Sequence, residues 1–72
     1  MKTLYTAFEE VIHSEEFGTY TSYGIRVKTE EGEREYHDIS PDGKAVKALA
    51  RDCEKYDLSP IHIEDIIEDR FY

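Results

Sequence analysis

His62, Asp65 and Asp69 stand at i, i+3 and i+7, so on a continuous helix one imidazole and two carboxylates point to the same side. Divalent metals take such donors, which makes these three the candidate metal ligands. A chain rich in acid places such trios often, and the plainer account is a solvated helix face. His37, Asp38 and the single Cys53 are the residue types of thiolate catalysis, in which an imidazole activates the sulfur and a carboxylate orients the ring. Cys53 falls within an apolar helical stripe, however, where a thiol is a small buried hydrophobe with a raised pKa. In a regular strand His37 shares a face with Glu35 and Ile39, while Asp38 points away from it. No catalytic residue is assigned on this pattern, and no cofactor is expected.

Two further groups have binding chemistry. Lys44, Lys47, Arg51 and Lys55 line one helical stripe and, joined by Arg26, Lys28 and Arg34, would form a phosphate-binding patch; the ordinary reading is the wet face of a core-packed helix. Six tyrosines are many for 72 residues. A tyrosine ring can be buried while its hydroxyl stays wet, so Tyr20, Tyr23 and Tyr36 join Glu64 and Glu68 as candidate partner-binding residues. Cross-strand aromatic pairing is the competing role for those three rings.

The elements that must hold these residues follow from periodicity. Leu4, Phe8, Val11 and Ile12 fit a helical stripe. The same stretch also alternates and is rich in Tyr, Thr, Phe, Val and Ile, so residues 3–14 read as a strand. Residues 19–29 are a firmer strand, with Tyr23, Ile25 and Val27 on one face and Arg26 and Lys28 on the other. Glu30-Glu31-Gly32 supplies a hairpin turn into a strand over 33–39, and Ser14-Glu15-Glu16-Phe17-Gly18 supplies the other turn. Gly24 marks a bulge or a close backbone approach.

Ser40-Pro41 predicts a helix over residues 41–56, with Val46, Leu49, Ala50, Cys53 and Tyr56 on its apolar face. Ser59-Pro60 repeats the signal, Ser59 as N-cap, for a last helix that buries Ile63, Ile66 and Ile67 and exposes Glu64, Asp65, Glu68 and Asp69. The expected architecture is α+β, a three-stranded antiparallel meander followed by a C-terminal helical hairpin packed on one face of the sheet. Residues 1–72 form one small domain.

Ser22-Tyr23-Gly24-Ile25, Asp38-Ile39-Ser40 and the block from Leu58 to Asp69 resemble a family of short bacterial proteins catalogued only as a domain of unknown function. The likeness covers about the last 50 residues and implies strands followed by two helices, with no activity attached. Where the family's pattern ends in a phenylalanine–leucine apolar tail, this chain has Arg70-Phe71-Tyr72.

Seventeen acidic against nine basic residues give a net charge of −8, which repels nucleic acid and anionic membranes and favours a basic partner. The absence of a disulfide pair, a leader-like apolar stretch or a spanning run predicts a cytoplasmic location. A core of this size supplies only about 3–5 kcal/mol, so a homodimer is a further expectation. The sequence is best read as a small protein-interaction or regulatory module. The alternatives are a metal-binding protein or metal-dependent enzyme built on His62, Asp65 and Asp69, and an acidic mimic of nucleic-acid charge.

Overall fold

The first segment carries two competing periods, and the alternating one prevails because it finds a partner. In the computed structural model, which describes residues 3–72, β1 (Leu4–Ser14) pairs antiparallel with β2 (Gly18–Thr29). Tyr5 lies opposite Val27 and Ala7 opposite Ile25. That register gathers Tyr5, Ile25 and Val27 on a buried face and leaves Arg26 and Lys28 exposed on the other. The Ser14 hydroxyl accepts from the Glu16 and Phe17 amides at 3.2 and 3.1 Å, and Gly18 takes a φ of +75° to close the turn.

β3 (Gly32–Ser40) returns antiparallel to β2, giving the strand order β1-β2-β3. Ile25 faces Tyr36, yet Tyr23 faces Ser40, so Gly24 alone spans the stretch that residues 37–39 fill on β3. Asp38 absorbs the mismatch with a φ of +51°. The bulge overturns the simple alternation expected there. Ile39 turns into the core, at 6% exposed, while His37 stays outside beside Glu35. Asp38 does not point away from that cluster, because its amide donates to Glu10 Oε2 at 2.7 Å and its carboxylate accepts from the Tyr20 hydroxyl at 2.8 Å. Gly24 is the close approach that the sequence suggested. A Cβ there would collide with the Tyr36 carbonyl and sit 2.7 Å from Phe8 Cζ.

α1 (Gly43–Lys55) begins two residues later than predicted, because Asp42 is its N-cap and accepts from the Ala45 amide at 3.2 Å. Val46, Leu49, Ala50 and Cys53 are buried as expected, but Tyr56 is 64% exposed. The helix ends at Lys55, so Tyr56 leaves the apolar stripe. Asp57 then takes a φ of +50°, the Asp57 amide bonds the Glu54 carbonyl, and the Leu58 amide bonds the Cys53 carbonyl. This is a Schellman closure with aspartate where glycine is usual.

A 3-10 turn, Pro60–His62, leads directly into α2 (Ile63–Phe71). The Ser59 side chain makes no cap bond; its carbonyl accepts from the His62 amide at 3.0 Å. Ile63 and Ile67 are buried and Ile66 is half-buried. α1 lies over all three strands, whereas α2 meets the sheet chiefly at β3. At the chain's end Phe71 packs against the core, and Arg70 reaches Asp52 of α1 at 2.9 Å. Among the described residues no helix is long and apolar enough to cross a membrane.

The packing around Gly24 generates a direct test. Gly24→Ala forces its methyl against a backbone carbonyl and a ring, so unfolding in urea should show a loss of about 1–3 kcal/mol. An unchanged midpoint would contradict the approach described here.

Candidate functional site

β3 turns its helix-facing side chains toward α2 and the 3-10 turn, and two clefts lie along it. One cleft of about 670 Å³ has Val27, Tyr36, Pro60 and Ile61 for apolar walls. Glu30, Glu31, Glu33 and Arg34 line its polar side. A second, of about 290 Å³, lies between β3 and α2, with Ile39, Ile67 and Tyr72 among its walls and Glu64 and Glu68 beside them. Tyr36 lines both. Five carboxylates therefore border the two clefts against one guanidinium.

The charges are arranged unequally. The Tyr36 hydroxyl beside Arg34 raises its pKa further above the ordinary range, and Glu64 adds to the effect. Among the described residues neither Glu64 nor Glu68 is in an ion pair closer than 4.0 Å, and both are exposed. Ile61 and Tyr72, near the two ends of the helical segment, are 79% and 83% exposed. A surface of this kind has apolar area to bury and negative charge left to satisfy.

His37 lines the smaller cleft and belongs equally to the outer face of the sheet. Its Nδ1 lies 2.8 Å from Glu10 Oε1 and its Nε2 3.2 Å from Glu35 Oε1, so the imidazolium can donate to both carboxylates. Its ring also meets Phe8 edge-on at 5.4 Å, and Arg26 lies 5.6 Å from the centre of the same Phe8 ring. The Glu10 hydrogen bond, reinforced by Glu35, raises the His37 pKa. Arg26, bonded to Glu35 at 2.8 Å, holds that carboxyl below its ordinary value.

His62 closes the 3-10 turn, and Asp65 and Asp69 lie on α2; all three are exposed. Among the described residues no three His, Cys, Asp or Glu side chains converge as a metal-holding group. Tyr20 joins the outer face through Asp38, and its hydroxyl pKa is raised by that bond. Tyr23 packs beneath the start of α1, where a Cβ on Gly43 would come within 2.6 Å of its ring, and its hydroxyl donates to Glu9 at 3.0 Å. Cys53 is fully buried, and burial pushes its thiol up. Lys44, Lys47, Arg51 and Lys55 all stand exposed on α1. The sequence reading missed Glu30, Glu31, Glu33 and Ile61 as groove residues; the turn composition marked their loops but not the neighbour that faces them.

Because the folded state raises the His37 pKa, its stabilising contribution is fully present below about 6.5 and fades as pH rises through the folded value. Glu35 behaves oppositely, contributing above its ordinary value near 4.3 and losing that contribution as acid protonates it. His37→Gln should therefore cost most stability between about pH 4.5 and 6.5 and least in alkaline solution, as read from urea midpoints. By proton NMR the His37 ring should titrate above about 6.5 and fall back toward that value in Glu10→Gln. A Glu10→Gln titration identical to wild type would exclude the bridge.

No curated protein and no solved structure matches this chain. A family match extends over residues 1–71, a wider span than the C-terminal blocks that suggested it. The chain belongs to DUF6514, a family of unknown function.

Proposed function

We propose that this protein is an interaction module that receives a basic segment of another protein in the groove between β3 and α2. The observation that carries the reading is the pairing of apolar walls, Tyr36, Ile39 and Ile67, with the unpaired carboxylates Glu64 and Glu68 at the same cleft. An extended peptide lays apolar side chains against such walls while its lysines or arginines meet the rim. The larger cleft, with its own Glu30, Glu31 and Glu33, extends the same chemistry past Tyr36. The net charge of −8 would speed the approach of a basic partner and repel polyanions.

The test compares two charge-matched variants in affinity capture from an extract of the source cells. Glu64→Gln with Glu68→Gln neutralises the groove, and Glu15→Gln with Glu16→Gln removes the same charge from the β1–β2 turn. The groove variant should lose partner affinity by about tenfold or more, equivalent to about 1.4 kcal/mol, while the turn variant retains it. Binding should also weaken as salt screens the rim. Equal retention by both variants, or equal loss, would reduce the acidic surface to a solubilising coat.

A further inference from the structure

The two edges of the sheet are treated differently. β3 is bulged at residues 37–39, carries Asp38 at a φ of +51° and has α2 beside it, all features that discourage another strand from pairing. β1 has neither a bulge nor a positive φ, although α1 packs over its face. Its 11 residues pair with β2 without a register shift, and they include no proline and no lysine. Among the described residues, the outward backbone group of β1 that meets another element is at its start, where the Tyr5 amide donates to Glu54 Oε1 at 3.2 Å. In an antiparallel ladder alternate residues turn their backbone groups toward opposite neighbours, so the outward-facing positions are Tyr5, Ala7, Glu9, Val11 and His13. Beyond Tyr23, moreover, β3 no longer accompanies β2, and the β1–β2 ribbon extends as two strands with Val11 at 55% and Phe17 at 78% exposed. A two-stranded ribbon is marginal in water without a further strand.

We infer that the open edge of β1 pairs antiparallel with β1 of a second copy, about a two-fold axis at Val11, to make a continuous six-stranded sheet. The sequence selects that register. An axis at Glu9 or Glu10 sets identical carboxylates opposite each other, and an axis at Ile12 sets Glu9 against Glu15. With Val11 on the axis, Val11 meets its own copy, Glu9 faces His13 of the second copy, and Glu10 faces Ile12. Each acid then faces a ring or an apolar side chain, and the exposed Val11 side chains cover one another. The inference is independent of the groove, which lies at the opposite edge of the sheet, and its readout is mass rather than partner capture.

Sedimentation equilibrium should return twice the chain mass of 8.5 kDa. H13E places a carboxylate opposite Glu9 of the second copy and should weaken dimerisation by tenfold or more. E9K in the same chain restores opposite charges and should recover the dimer. In the wild type, amide exchange at Ala7, Glu9, Val11 and His13 should slow as protein concentration rises. A wild-type chain of single mass at millimolar concentration would overturn the proposal. So would an H13E dimer as tight as wild type, a double variant that stays monomeric although folded, or exchange at those amides that ignores concentration.

Discussion

Tyr5 ties the first strand to the link between the last two helices, and much of the remaining geometry is set by that tie. Its ring is 4% exposed in the core, its hydroxyl donates to the Leu58 carbonyl at 2.5 Å, and its amide donates to Glu54 of α1. Burial, with the nearby Cys53 and Asp57 contributing, pushes the phenol up to about 12. A phenol so placed has to keep its acceptor, since an unpartnered buried hydroxyl costs about 1–3 kcal/mol. The Leu58 carbonyl is available because the chain leaves α1 through the Asp57 turn, which in turn orients Pro60–His62 and brings α2 to β3. The groove between β3 and α2 thus depends on a contact made at the opposite edge of the sheet.

Charge is distributed with a similar economy. Arg26 lies between Glu33 at 3.4 Å and Glu35 at 2.8 Å, and Arg70 is engaged by Asp52. The α1 lysines face solvent on the far side of their helix, and Lys55 lies over the Tyr56 ring at 5.4 Å. With 17 acids against nine bases, placing most cations on α1 and on the outer sheet face leaves the groove with several carboxylates against the one guanidinium of Arg34. The same excess opposes nonspecific self-association.

The strands, their order and the apolar faces of both helices could be read from the sequence because each is a local repeat sustained over two or more turns or pleats. The first segment became readable only through its neighbours, since Leu4, Phe8 and Ile12 satisfy both periods and the decision lies in pairing with β2. The bulge at His37-Asp38-Ile39 was not legible. No glycine marks it on β3; Asp38 is of a residue type that tolerates positive φ, but a lone aspartate in a strand pattern does not announce that it will adopt one. Asp57 hides the end of α1 in the same way, which is why Tyr56 was assigned to the core. The groove was half visible: Glu64, Glu68 and Tyr36 were singled out by charge and residue type. Glu30, Glu31, Glu33 and Ile61 acquire meaning only when the β2–β3 turn faces the 3-10 turn across a cleft.

The meander order of the sheet has a consequence in time. β1 with β2 and β2 with β3 close through tight turns, so both pairings form between segments that are neighbours along the chain. Such hairpins close on the order of microseconds, before any helix need dock. α1, by contrast, makes its broadest contact with β1, the strand farthest from it in sequence. Closing that long loop carries a larger entropic cost than closing either hairpin. The apolar face carrying Ile25 and Val27 is covered only when that loop is closed and Val46, Leu49 and Cys53 pack against it.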